Sequence, residues 1–366
     1  MRIAVLTSSR ADYSIYLPLL KKIKQEPNFS LKIIAFGTHL SKLHGYTLNA
    51  IYEDGFDVYK AIKTPFKNNA PADISNAIGK TIIEFASFWK STQNEIDLIV
   101  CLGDRYEMFA AITANSPFNI PVAHLYGGDT TLGAFDNAFR HAITCMSTYH
   151  FTSLESSAKR VAQLINTTEN VHCVGSLSID SIRETTILTN DEFKEKFGIE
   201  LQNPILVSFH PETIAYEKNE FYVNELIAVL STFEQQIIIT MPNADTMGDI
   251  IRKAFVDFSR GRKNIYIVES LGTVGYYSCL EHCKFVIGNS SSGIAEAASF
   301  GKYVINLGDR QKGRESGKNV IHCVVQRNEI LNSVLKIKSL PVLNRDNIYG
   351  DGNSADRIIR ILKTIS

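Results

Sequence analysis

The sequence predicts an α/β protein built from two doubly wound, Rossmann-like domains facing a cleft. Three observations carry that expectation. The chain has 366 residues, more than a single domain usually needs, and 45% are hydrophobic, enough for more than one core. Short, nearly continuous apolar runs alternate with amphipathic stretches, the pattern of parallel sheets covered on both faces. That rhythm stops in a charged, weakly patterned segment near Arg183 to Asn203 and then restarts.

The first strand is "RIAVLTSS". A helix follows over Tyr13 to Glu26, with Ile15, Leu19, Leu20 and Ile23 at helical spacing, and then the strand "LKIIAFG". The alternation continues through the strand "DLIVCLGD", the helix "RYEMFAAITANS", the strand "PVAHLYGG", the helix "DNAFRHAITCMS", and the strands "HFTS" and "VHCVGS". Polar residues or glycines close each strand. The second half repeats the pattern with "PILVSFHP", "QIIITMPN", "NIYIVES", "KFVIGNSS", "YVINLGD" and "VIHCVV". The division expected is residues 1–176 for the first domain and 177–345 for the second, with 346–366, including the amphipathic Ser354 to Ile365, packing back on the first.

Lys plus Arg and Asp plus Glu each total 38, so no global field recruits nucleic acid or an anionic membrane. An anionic ligand must be held locally. No apolar run reaches the roughly 18 residues of a membrane span, and the N-terminal run breaks at Thr7; the expectation is a soluble, cytoplasmic protein. Six cysteines are scattered, and the close pair Cys279 and Cys283 has no second pair to complete a zinc site, so they read as reduced structural thiols with no metal.

In open parallel sheets ligands sit beyond the carboxyl ends of strands, which makes the residues just after each strand the candidates. After the first strand Arg10 and Ser14 flank Asp12. A cation beside free backbone N–H groups suits a phosphate or carboxylate, and a capped helix with an exposed arginine explains the same residues. No GxGxxG is present, so the common dinucleotide fingerprint is absent. Asp104 and Arg105 follow the strand "DLIVCLG" as either a helix cap or a carboxylate facing the cleft. "HLYGGDTTLGAFDNAFRH" gathers His124, Tyr126, Asp129, Asp136, Arg140 and His141 beside Gly127 and Gly128, glycines that would let backbone approach a ligand. Asp136 and Arg140 share a helical face, as a surface pair or as a carboxylate tuned by a cation.

In the second half His210 precedes Pro211, which biases it away from helical backbone so that its ring projects from a turn. Asn243, Arg310 and Arg314 follow other strands, and turn chemistry alone explains Asn243. The stretch "FVIGNSSSGIAEAASFGK" reads as strand, then Asn289, Ser290, Ser291, Ser292 and Gly293, then helix. N–H groups and hydroxyls at a helix's positive end suit a diphosphate. Glu296, one turn on, suits the hydroxyls of a ribose. A serine-rich cap is the plainer alternative.

As an ordered set, "SSRADYS", "GDR", "HLYGGD…DNAFRH", "SFHPE", "MPNAD" and "GNSSSGIAEAASFGKYVINLGDRQKGRESG" resemble the UDP-N-acetylglucosamine 2-epimerase family, especially its hydrolysing branch. The resemblance runs from Arg2 to about Asn319. It implies a glycosyltransferase-B type fold, a homodimer, and no metal or organic cofactor. It also implies UDP contacts from Arg10, Ser14, Arg105, His210, Asn243, Ser290, Ser291, Glu296 and Arg310, and a sugar site with Asp104, Asp136 and Arg140.

The implied chemistry is elimination of UDP from C1 with loss of the C2 proton to a carboxylate, giving a 2-acetamidoglucal. Water then adds at C1 and a proton returns to the opposite face of C2. Cations on the diphosphate lower the cost of its departure. Two proton-transfer groups are required. Relatives usually read His-x-Glu-Gly-Gly where this chain reads "HLYGGD", so Tyr126 takes the place of an acid or base. Its pKa near 10 makes it a poor resting base, and Asp129 is the candidate replacement. The substrate expected first is UDP-N-acetylglucosamine, yielding N-acetylmannosamine for a sialic-acid-like surface glycan. UDP-N,N′-diacetylbacillosamine, on the way to legionaminic acid, is the alternative. A non-hydrolysing epimerase, a UDP-sugar glycosyltransferase of the same fold and a non-catalytic nucleotide-sugar sensor remain as rivals.

Overall fold

The computed structural model describes residues 1–42, 45–64, 71–132, 136–212, 216–242 and 248–365. The chain forms two compact units. The first comprises Met1–Asp129, Asp136–Ser181 and Tyr349–Ser366; the second comprises Ile182–Ile348 and a short stretch starting at Thr130. No helix among the described residues is long and apolar enough to cross a membrane.

Unit 1 has strands β1 (Arg2–Thr7), β2 (Ser30–Ala35), β3 (Val58–Ala61), β4 (Leu98–Leu102), β5 (Val122–Leu125), β6 (Tyr149–Thr152) and β7 (Val171–Cys173). They pair in the order β3-β2-β1-β4-β5-β6-β7, with parallel register throughout. Successive side chains point to opposite faces. Ile3 and Val5 therefore enter one core, with Tyr16, Leu19 and Leu20, while Ala4 and Leu6 enter the other, with Phe85, Trp89 and Met108. Both faces are covered, which is why the strands read as unbroken apolar runs.

Unit 2 has β8 (Ile205–Ser208), β9 (Ile237–Thr240), β10 (Ile265–Val268), β11 (Phe285–Gly288), β12 (Val304–Leu307) and β13 (Val320–Cys323), ordered β10-β9-β8-β11-β12-β13. The same alternation sends Ile205 and Val207 to one core and Leu206 to the other. The order reverses between β1 and β4 in unit 1 and between β8 and β11 in unit 2, the two places where such sheets bind ligands.

Three expectations change. The segment near Arg183 to Asn203 holds the end of the helix Leu177–Glu184 and all of the helix Asn190–Phe197. Thr189 and Glu192 form a capping box there and left-handed Gly198 ends the helix; caps organise a segment whose apolar periodicity is weak. β3 and the helix Pro71–Thr92 carry no clear signature in the sequence. β3 is mostly exposed, and the helix presents only a narrow apolar face, including Phe85, Phe88 and Trp89. The unit boundaries fall after Ser181 and Ile348, a few residues beyond 176 and 345.

The helix Ser354–Thr364 belongs to unit 1. Ile358 and Leu362 enter the core of the helix Arg10–Gln25, and fully burying a side chain of that kind is worth about 1.5–3 kcal/mol. Buried Asp180 accepts from the N–H groups of Ser354 at 3.0 Å and Ala355 at 2.8 Å, satisfying donors that open the helix.

Candidate functional site

In unit 2 the ends of β8 and β11 are locked together. Fully buried Asn289 accepts from the His210 N–H at 2.7 Å and donates to the His210 carbonyl at 2.8 Å. Gly288 has φ 147°, and a Cβ there would lie 2.0 Å from the Ser208 carbonyl oxygen, so only glycine permits this approach. The Asn289 carbonyl in turn accepts from Arg310 and from Gln311, each at 3.0 Å. One strand-end residue thus ties together the two elements that carry His210 and Arg310.

The His210 ring is buried rather than projecting from its turn. Burial, reinforced by Arg310, lowers its pKa to about 3, leaving a neutral imidazole near pH 7. Glu212 is also buried. It accepts from the Asp309 N–H at 2.8 Å, fixing the turn that presents Arg310; burial pushes its carboxyl upward, and the backbone donors oppose this.

Ser290 caps the helix Ser291–Ala295, its hydroxyl accepting from the Ser292 N–H at 3.3 Å, and Ser291 is exposed. The helix expected to contain Glu296 is shorter than that. It gives way to a 3-10 turn at Ala297, because serines and a glycine are weak helix formers. Glu296 at the junction accepts from the hydroxyls of Ser292 and Tyr277, and burial raises its pKa. Asn243 lies outside the described residues.

Unit 1 ends its strands differently. Asp104, after β4, is ion-paired with Arg140; the guanidinium is 4% exposed and the carboxylate 24%. The buried cation orients a carboxylate that water and ligands still reach. His124 supports the same turn, its Nε2–H donating to the Gly103 carbonyl at 2.8 Å while Nδ1 faces Thr144 at 3.1 Å. Burial lowers its pKa to about 3, so it is a neutral strut. Arg105 forms two hydrogen bonds to buried Glu107, at 2.8 and 3.2 Å, and the Glu107 charge raises its pKa. Asp136 opens the helix Asp136–Cys145, half-buried and close enough to Tyr106 to act on its phenol.

Three expectations for unit 1 are corrected. The backbone N–H groups after β1 are not free for a ligand: Asp12 accepts from Ser8 N and Ser9 N, both at 2.7 Å, and from both serine hydroxyls. A capping box needs its own acid, so Ser9 is the cap and Asp12 its reciprocal partner. Arg10 stays exposed, and the Ser14 hydroxyl donates to the Arg10 carbonyl at 2.8 Å.

Tyr126 is a tie rather than an available acid. Its hydroxyl takes the Leu177 N–H at 2.8 Å and lies 2.9 Å from the Ser176 hydroxyl, and burial pushes its pKa higher still. Gly127 and Gly128 serve packing. A Cβ on Gly128 would lie 2.3 Å from the Ser157 carbonyl, and one on Gly127 would lie 3.0 Å from His124 and Thr144. Asp129 is 8% exposed and accepts from Ser153 at 3.0 Å and Ser157 at 2.8 Å.

The structure therefore groups Asp104, Arg105 and Arg140 in unit 1, and His210, Ser290 and Arg310 in unit 2 around Asn289. The sequence gives Glu212 and Glu107 no role, and Asn289 stands there only as the first residue of the turn that suits a diphosphate. Their signal was position: each stands within a few residues of a strand end beside a named candidate.

Residues 21–363 match the family model described as UDP-N-acetylglucosamine 2-epimerase. The chain is 34% identical over 365 residues to a UDP-N,N′-diacetylbacillosamine 2-epimerase (hydrolyzing) of Legionella pneumophila, covering 100% of this chain and 96% of that one. It is 33% identical over 369 residues to the polysialic acid biosynthesis protein P7 of Escherichia coli, covering 99% and 93%. Its fold matches the crystal structure of UDP-GlcNAc 2-epimerase from Neisseria meningitidis bound to UDP-GlcNAc, with a TM-score of 0.84, 17% identity and full coverage of both chains.

Proposed function

The chain belongs to the UDP-N-acetylglucosamine 2-epimerase family, and from that premise we propose that it is a hydrolysing 2-epimerase converting a UDP-N-acetylhexosamine and water to UDP and the free C2-inverted sugar. The observation that carries the reading is the Asp104–Arg140 pair: a reachable carboxylate fixed at a strand end by a buried cation.

In this reading unit 2 holds UDP. Ser290 and Ser291 meet the diphosphate, Arg310 neutralises charge as it leaves C1, neutral His210 contributes one hydrogen bond, and Glu296 receives ribose hydroxyls. Asn243, Arg10, Ser14 and Arg105 complete the nucleotide contacts. Asp104 takes the C2 proton as UDP departs, and Arg140 orients that carboxylate. Asp129 or Asp136 supplies the second proton transfer, while Tyr126 only braces the loop that carries Asp129. Asp129→Asn should cut turnover at least a hundredfold by UDP-release assay, the low end of acid–base contributions; full turnover would remove Asp129 from the mechanism.

UDP-N-acetylglucosamine is the first substrate, with the protein working as a cytoplasmic homodimer that supplies a sialic-acid-type pathway. A second reading, UDP-N,N′-diacetylbacillosamine, is supported by the 34% identity to the Legionella enzyme that carries that name. Incubation with each UDP-sugar in deuterated water, followed by NMR of the products, tests the proposal. A free manno-configured sugar carrying deuterium at C2 supports it and identifies the substrate. An epimerised but still UDP-linked sugar, or no reaction with either, rejects the hydrolysing reading.

A further inference from the structure

Unit 2 has a cavity of about 400 Å³ at the carboxyl ends of β12 and β13. Tyr222, Val324 and Val325 form its apolar walls, and Lys312 and Arg314 its cationic side. In strand order it lies beyond β12, toward the sheet edge, whereas His210 and Asn289 follow β8 and β11.

Arg314 is the observation that calls for a ligand. Arg314 is half-buried, but its Nε is shut off from solvent with no hydrogen-bond partner among the described residues. A guanidinium N–H shut off from water without an acceptor is costly, so it favours an anion in the adjoining cavity. Lys312 adds a second positive charge; its ion pair with exposed Asp309, a carboxylate that also lines the cavity, is loose at 3.6 Å. His322 also lines the cavity, fixed by Asn306 at 3.1 Å and Ser316 at 3.0 Å, and the buried Asn306 Oδ1 beside it has no partner.

We infer that this cavity is a second anion site, distinct from the nucleotide site, taking a sugar-sized molecule that carries a carboxylate or a phosphate. Its volume sits at the lower end of the roughly 300–1,000 Å³ of small-molecule sites. The turn that presents Arg310 runs directly into Lys312 and Arg314, so occupancy here bears on the loop that the proposed nucleotide site uses.

Calorimetric titration of the full chain, with UDP saturating, against glucose 6-phosphate and against glucuronate tests the assignment. At least one should bind with Kd of about 1 mM or tighter. Arg314→Gln should weaken it tenfold or more while changing UDP affinity less than threefold. Lys312→Glu, at an exposed side chain whose replacement spares the fold, should weaken it severalfold. Binding of only one probe assigns the acidic group. Absence of binding by both at about ten times that concentration, or binding that Arg314→Gln leaves intact, overturns the inference. If UDP itself does not bind, the titration is run without it and the Arg314 comparison still decides, so failure of the nucleotide reading is separable from failure of this one.

Discussion

After β4, unit 1 places Gly103, Asp104 and Arg105; after β11, at the same point in the strand order, unit 2 places Asn289, Ser290 and Ser291. After β1 the turn is closed by its own acid, Asp12, which takes the Ser8 and Ser9 N–H groups. After β8 the turn is held from outside by Asn289. After β5 comes buried Asp129, and after β12 comes Arg310. One scaffold thus ends its strands in carboxylates in one unit and in hydroxyls, an imidazole and a guanidinium in the other. Strand order fixes where chemistry can sit; the two or three residues after each strand decide which side chains are offered there.

The largest test of that contrast is Asp104→Asn. Turnover should fall about a thousandfold, within the usual range for a general base, as measured by UDP release. A loss under tenfold would break the unit 1 half of the comparison.

The two switch-point glycines differ next. Gly288→Ala puts a methyl 2.0 Å from backbone and should destabilise unit 2 by more than about 4 kcal/mol. Gly103→Ala, with φ 77° and nothing within 4 Å, should cost only about 1–2 kcal/mol. Urea midpoints of the two variants measure the difference, and equal losses would contradict the packing described.

Arg310→Ala should weaken UDP binding about 10- to 100-fold by calorimetry, the worth of a charged hydrogen bond, and should lower kcat at saturation as well, because the same cation meets the charge that grows on the departing diphosphate. Unchanged UDP affinity and unchanged kcat would remove Arg310 from the diphosphate.

A pH effect is shared by the units. His124 and His210 have folded pKa values of about 3, against about 6.5 unfolded, so below pH 6.5 the unfolded chain binds protons that the folded chain refuses. Stability should therefore fall as pH drops from about 6.5 toward 3, by up to about 1.4 kcal/mol per unit for each histidine. Urea melts at pH 7 and 5.5 give the slope, and His124→Gln should flatten it in part.

Much of this was legible in the chain. All six strands of unit 2 were readable because each carries an apolar run, including the partly exposed edges β10 and β13. β3 was not, because this mostly exposed edge strand lacks that signature. The candidate residues stood out because each follows a strand. Their partners did not: Arg140 reaches Asp104 across 36 positions, and Asn289 reaches His210 across 79. Tyr126 and the glycines beside it misled for a related reason. Loop residues with chemical potential look alike in sequence, and only the position of Leu177 and Ser157 makes these structural.

The most direct measurement is a crystal structure with UDP soaked in. The account predicts the diphosphate within hydrogen-bond distance of Ser290 and Arg310, with ribose hydroxyls on Glu296. UDP lodged on unit 1 alone, with no contact to Ser290 or His210, would contradict it.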